Sequence, residues 1–250
     1  VRAQSISISD GMEDNHVKEG IKIYHKSLGD INMHVVPGHF VTSHSHINYY
    51  FDMTTMKIRQ SEASAVARAI AQQYSYNTVV DTIVCMDGTQ VIGAYLAEAL
   101  QNSGIMSMNS HKTIYVVTPE INAQNQMIFR DNIRIAVENK HVLLLLASAT
   151  TGKTISSSLE CIQYYGGHLA GISALFSAVD EVEGQEIHSI FHVSDVPEYS
   201  TYLAHECPMC RNAQRIVHPD DLDELLGVDT SGIQLVIIPR SMIRFLNHSV

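Results

Sequence analysis

The sequence predicts an α/β fold in which helices flank a parallel sheet, one compact domain with small additions at both ends, and three observations predict it. Through the middle of the chain short apolar segments alternate with amphipathic stretches, the pattern of strands joined by helical crossovers. From Val142 to Leu146 every residue is aliphatic, which suits a strand covered on both faces. The apolar share, 45% of 250 residues, supports one sizeable core.

Taken in order, residues 1–60 mix polar and aromatic stretches that turn at Pro37 and Gly38 and again at His44, Ser45 and His46; they read as an N-terminal subdomain or hood. Residues 61–200 read as the core, and 201–250 as an extension that packs on it. Between Ser61 and Tyr74, apolar residues recur at Ala63, Val66, Ala67, Ile70, Ala71 and Tyr74, which lays one stripe along a helix. A strand at Val79–Met86, a helix at Val91–Leu100 and strands near Ile105–Met108 and Thr113–Val117 follow. The polar stretch Thr118–Asn132 reads as a long loop or hairpin. After the aliphatic strand come a Thr-rich turn and a helix stopped at Gly166 and Gly167, then strands at Leu169–Val179 and Ile187–Val193. In the tail a helix is expected at Pro219–Leu226, opened by the fixed φ of proline, and a strand at Ile233–Ile238.

Composition excludes several partners. Net charge is −10, with 16 Lys and Arg against 26 Asp and Glu, so a nucleic-acid backbone would be repelled. The longest aliphatic run, Val142 to Ala147, falls far short of the roughly 20 residues that span a bilayer, and no membrane association is expected. Val1 to Asp10 lack the basic start and apolar stretch of a secretory signal, and the expected compartment is the cytoplasm. Cys85 and Cys161 lie inside apolar segments and read as core thiols of a reduced compartment.

The segment that carries chemistry is Ser148, Ala149, Thr150, Thr151, Gly152, Lys153 and Thr154, where a buried strand feeds a tight turn that opens a helix. Unpaired N–H groups of a first helical turn and the helix dipole both face whatever sits in such a loop, and an anion satisfies them. Gly152 permits close backbone approach, the threonines add hydroxyls, and Lys153 adds charge. A β-branched side chain at 152 is therefore expected to take the anion's place and leave the fold intact. Residues 147–154 also meet a relaxed Walker A pattern, with Ala147 where the first Gly belongs and Asp180 as a Walker B candidate. About 140 residues of α/β pattern precede it, whereas a P-loop usually opens its domain; an ATP-binding protein is the distant alternative.

Thr150, Thr151, Gly152, Lys153 and Thr154 resemble the sugar-phosphate loop of type I phosphoribosyltransferases, an aliphatic strand, two acidic and two variable residues, then Thr-Thr-Gly-x-Thr. Residues Val80 to Ala97 resemble the strand, pyrophosphate loop and helix of orotate phosphoribosyltransferases, with Asp87, Gly88 and Thr89 at the turn that meets pyrophosphate. Pro37 to Asp52 is similar to that family's N-terminal segment, and His205 to Arg211 to a Cys-Pro-x-Cys stretch of some members. The resemblance spans residues 37–211 in the family's order. It implies the type I fold, a central parallel sheet flanked by helices with a small hood built from the terminal segments, and a transferase that joins 5-phosphoribosyl diphosphate to a pyrimidine-like base, orotate, releasing pyrophosphate. It also implies magnesium bound through the diphosphate, and a homodimer.

Two departures bear on catalysis. The acidic pair expected six and five residues before Gly152 is Leu146 and Ala147. From Val116 to Phe129 there is no Lys or Arg, which leaves Arg130 and Arg134 as the basic candidates for the family's cationic loop. No catalytic residue is assigned, and the alternative function is a non-catalytic, regulatory protein that binds a phosphoribosylated nucleotide on the same fold. Asp87 also reads as a helix cap. Tyr49, Tyr50 and Phe51 read as packing residues, one of which, or Phe40, is a candidate to stack on a base. Cys207 and Cys210 have the spacing of half a zinc site, with His205, His192 and His218 as completing candidates. Lacking a second pair, they read as a turn of free thiols, and no metal site is expected. His39, His44 and His46 read as surface or core groups.

Overall fold

The computed structural model of the chain describes residues 20–26, 31–42, 45–104, 106–110, 113–122 and 126–217, and within them the apolar patterns become two sheets and a ribbon. The hood opens with β1 (Ile21–Tyr24), β2 (Asn32–Val41) and β3 (His46–Asp52), followed by helices α1 (Thr54–Ile58) and α2 (Gln60–Tyr74). The core continues through β4 (Thr82–Cys85), α3 (Gln90–Gln101), β5 (Tyr115–Val117), β6 (Glu120–Ile121), β7 (Met127–Ile128), α4 (Asp131–Arg134), β8 (His141–Ala149), α5 (Lys153–Tyr164), β9 (His168–Ser177), β10 (Glu181–Val182) and β11 (Gln185–His192). Last come β12 (Thr201–Tyr202) and α6 (Pro208–Arg211). The tail helix and strand expected after Pro219 lie outside the described residues.

The large sheet has the order β10-β11-β9-β8-β4-β5. All its pairings are parallel except β10 with β11. This is the expected parallel sheet flanked by helices, and β8 shows why the aliphatic run matters. Leu143 and Leu145 face one core with Ala67 and Ile70 of α2 and Ile92 and Leu96 of α3. Leu144 and Leu146 face the other, with Ile155 and Ile162 of α5. Every one of these leucines is fully buried, and burying such a side chain stabilises the fold by about 1.5–3 kcal/mol. Gly93 lets α3 lie against β4, since a Cβ there would fall 2.4 Å from Cys85 Sγ.

The hood is an antiparallel sheet, β1-β2-β3-β12, built from both ends of the described chain. One face joins the main core through Met33, Val35 and Phe51, with the Phe51 ring stacked 4.0 Å from that of Phe176. The other face holds a satellite cluster of Val36, Phe40, Ile47 and Tyr50. A register shift between Pro37 and Phe40 bends β2, as expected where proline withholds a ladder donor.

One element departs from expectation. No strand forms among Met106, Ser107 and Met108, and Ile105 lies outside the described residues. Successive turns, Ser107 N–H to Gly104 O and Ser110 N–H to Ser107 O, close the backbone on itself. Buried Asn109 then ties the segment to the core through Val80 N–H and Thr78 O. Within Thr118–Asn132, read as a loop or hairpin, β6 and β7 pair antiparallel, and Asp131 and Asn132 open α4.

Cys85 and Cys161 are free and buried, as expected of core thiols. Burial pushes the Cys85 thiol up to about 12, and burial likewise lifts the Tyr74 hydroxyl to about 12. Both raised values mean that the native state keeps protons the unfolded chain releases, so their stabilisation is whole below the unfolded pKa and lost as pH rises through the folded one. We expect stability to fall by roughly 1.4 kcal/mol per pH unit for each group, from about pH 9 to 12 for Cys85 and from about pH 10 to 12 for Tyr74. Urea unfolding at pH 8 and pH 10.5 checks this, and Cys85→Ala should flatten the slope; an unchanged slope would mean the thiol is not the titrating group.

Candidate sugar-phosphate site at the switch point of the sheet

Numbered by their order in the chain, the five parallel strands run 2-1-3-4-5 across the sheet. The crossover direction therefore reverses between β4 and β8, and in open α/β sheets ligands occupy the crevice beyond the carboxyl ends of the strands that flank this reversal. Both segments singled out in the sequence arrive there. Asp87, Gly88 and Thr89 follow β4, and Thr150, Thr151 and Gly152 follow β8, with Val84 beside Leu144 and Cys85 beside Leu145 in register.

The β8–α5 turn is shorter than the sequence segment. Ser148 and Ala149 are the last two residues of the strand, paired with Phe176 and Ser177, so only three residues separate strand from helix. That is too few for a Walker A loop, whose glycine-flanked residues wrap the phosphates. Asp180, the Walker B candidate, lies 3.0 Å from Nε2 of His192. Gly152 caps α5 in the left-handed conformation, φ 75° and ψ −6°, with no side chain bonded to the cap. The N–H groups of Lys153, Thr154 and Ile155 lack intrahelical acceptors, and a left-handed residue feeding a helix gathers such N–H groups into an anion nest. Among the described residues, the side chains of Thr150, Thr151 and Lys153 make no hydrogen bond, and Lys153 is exposed.

The packing at Gly152 corrects one expectation. A Cβ there would sit 2.5 Å from Cγ2 of Val182 on β10. A side chain at 152 would thus strike Val182 of the β10–β11 hairpin as well as the anion's place, so the substitution is expected to cost stability along with binding.

The β4–α3 turn is held by Thr89, whose buried hydroxyl donates to Met86 O at 2.8 Å and Leu145 O at 3.2 Å. Thr89 thereby shapes the turn from within. Asp87 and Gly88 both have positive φ, 53° and 80°, a conformation that is costly for aspartate and common at functional turns. Surrounding protein raises the Asp87 carboxyl above its ordinary value, opposed by the Ala147 N–H and by Lys57. Its exposed surface keeps the group in contact with solvent. Asp87 makes no side-chain cap to α3.

Lys57 is the residue that sequence reasoning missed. Met56 anchors α1 in the core, and the next side chain reaches over the turn, where Lys57 Nζ donates to Asp87 O at 3.2 Å. Burial lowers its pKa, while Asp87 and Asp52 pull it back up. Nothing in the spacing of residues 54–58 marks it, because the contact joins positions 30 residues apart. The basic candidates Arg130 and Arg134 are paired with Glu120 and Glu138 instead. Leu146 and Ala147, where the acidic pair was expected, are buried on opposite faces of the sheet. Phe40, Tyr50 and Phe51 are buried packing residues of the hood, and half-buried Tyr49 packs on the main core.

No family model matches the chain, and no curated protein matches it. Among solved structures it is similar to orotate phosphoribosyltransferase of Mycobacterium tuberculosis H37Rv in complex with Fe(III) dicitrate, at 16% identity over 65% of this chain and 91% of that one, TM-score 0.46. It is similar to adenine phosphoribosyltransferase of Thermoanaerobacter pseudethanolicus at 17% identity over 58% of this chain and 88% of that one, TM-score 0.42. UMP synthase of Leishmania donovani matches at 14% identity over 77% of this chain and 38% of that one, TM-score 0.45.

Proposed function

We propose that the chain is a phosphoribosyltransferase that binds 5-phosphoribosyl diphosphate at the switch point and transfers its sugar to a pyrimidine-like base, orotate by resemblance. The observation that carries the reading is the pair of turns at the carboxyl ends of adjacent strands β4 and β8. One offers a helix N-terminus flanked by Thr150, Thr151 and Lys153 for a phosphate monoester. The other offers a positive-φ turn with a lysine over it for a diphosphate. Asp87 is held by the Ala147 N–H, so a carboxylate stands beside the strand position that lacks its own acid. Magnesium would be carried through the diphosphate, with the Asp87 carboxylate at the same turn, and would neutralise charge on the leaving pyrophosphate. Lys57 supplies a second, fixed positive charge for the same purpose.

One observation favours a different outcome on the same site. Leu146 and Ala147 are packed into apolar cores, which removes the carboxylate pair that holds ribose hydroxyls in the family pattern, and a binding protein without turnover would have that feature. Calorimetric titration with 5-phosphoribosyl diphosphate, orotidine monophosphate and ATP, each with magnesium, followed by a pyrophosphate-release assay with orotate, separates the readings. Binding with pyrophosphate release is the expected result. Binding without release establishes the non-catalytic reading, and preference for ATP overturns both.

A further inference from the structure

Outside the switch point, four side chains from distant parts of the sequence converge on one point between the hood and α6. His39 and His46 project from β2 and β3, and Cys207 and Cys210 from the start and the third residue of α6. Their ligand atoms all lie within 4.8 Å of one another. His39 Nε2 is 3.0 Å from His46 Nδ1 and 3.6 Å from both Cys207 Sγ and Cys210 Sγ, and Cys210 Sγ is 3.3 Å from His46 Nδ1. A tetrahedral zinc with Zn–N of about 2.0–2.1 Å and Zn–S of about 2.3 Å separates its ligand atoms by roughly 3.3–3.8 Å. These four of the six edges match that polyhedron to within a few tenths of an ångström.

A second contact orients the set. Nδ1 of His39 lies 3.0 Å from Gln214 O. A carbonyl only accepts, so the proton sits on Nδ1 and the lone pair of Nε2 faces the two sulfurs and His46. A metal-binding histidine is ordinarily fixed in this way by a partner on its other ring nitrogen. His39 is completely buried and Cys207 nearly so, which places the centre of the cluster away from solvent.

We propose that His39, His46, Cys207 and Cys210 bind one structural Zn²⁺ that clasps the C-terminal segment to the hood. Four protein ligands fill a tetrahedron and leave no open position, which distinguishes a structural from a catalytic zinc. The surroundings explain why a clasp is useful. The satellite core there has four buried residues, Val36, Phe40, Ile47 and Tyr50, and β12 contributes two residue pairs to β3. A core that small holds a segment weakly, and a metal substitutes for missing apolar burial. Zinc replaces the free-thiol turn read from the Cys207–Cys210 spacing. The histidines considered there are elsewhere: His205 lies beside Glu206 and His192 beside Asp180, while His218 is outside the described residues.

The test is metal analysis of the full chain purified without chelator, where about one zinc per chain is expected. Cobalt exchanged into the same protein should show the visible bands of a tetrahedral ion together with thiolate-to-cobalt charge transfer. A thiol reagent should reach Cys207 and Cys210 only after chelation, with Cys85 and Cys161 protected throughout, and Tm should drop on the order of 10 °C on metal removal. Cys210→Ser, at the exposed corner of the cluster, should lose the charge-transfer band in part and hold zinc more weakly; if it fails to fold, the thiol and cobalt readouts on the natural chain decide. Less than about a tenth of a zinc per chain together with a featureless cobalt spectrum, or a Cys207–Cys210 disulfide in the purified protein, overturns the proposal.

Discussion

Replacing Lys57 by Met is expected to slow pyrophosphate release by about 100- to 1000-fold, the loss of one positioned donor to a leaving group that gathers negative charge, or ~3–4 kcal/mol. The expectation rests on where Nζ is held, 3.2 Å from Asp87 O and over a turn at which Gly88 has no side chain to obstruct a ligand. Because the interaction strengthens as charge develops, kcat should fall more than affinity for 5-phosphoribosyl diphosphate. Lys57→Arg should recover part of the rate, since charge matters more there than shape. Steady-state kinetics and calorimetry on the two variants check this. If Lys57→Met keeps full turnover, the lysine merely braces the turn and the leaving-group role is lost.

Gly152→Val carries the second large effect, on stability and binding together. The substitution places a β-branched residue at φ 75° and its Cβ 2.5 Å from Val182. The left-handed conformation costs a non-glycine residue about 1–2 kcal/mol, and overpacking adds about 1–3 kcal/mol. We expect a loss of about 3 kcal/mol, which lowers Tm by roughly 6–12 °C in a domain of this size. Sugar-phosphate binding should vanish because the nest itself deforms. Adding Val182→Ala should recover the packing share of the stability and leave the conformational share. Thermal unfolding of the natural chain and the two variants measures both parts, and a Gly152→Val protein with natural Tm would show that the turn can relax without strain.

Much of the scaffold was legible because its signals are local. The stripe from Ala63 to Tyr74 is the buried face of α2, and the run from Val142 to Leu146 is the centre of the sheet. Periodicity failed where apolar residues do not pair with a sheet: Met106 and Met108 are exposed beside turns closed by backbone bonds. The threonine-glycine turn was legible as a helix opening, but its length was not, because parallel pairing extends β8 through Ala149. Only the ladder to Phe176 and Ser177 sets that end.

By itself the sequence determined the α/β class, the buried central strand and the turn chemistry at Gly152, since these follow from periodicity, side-chain type and backbone freedom within a few residues. Tertiary structure alone decided which distant groups meet: Lys57 over Asp87, Val182 against Gly152, and His39 and His46 with Cys207 and Cys210. Those encounters depend on sheet order and on the way β12 and α6 return to the hood, and contacts across 30 or 168 positions leave no trace in local spacing.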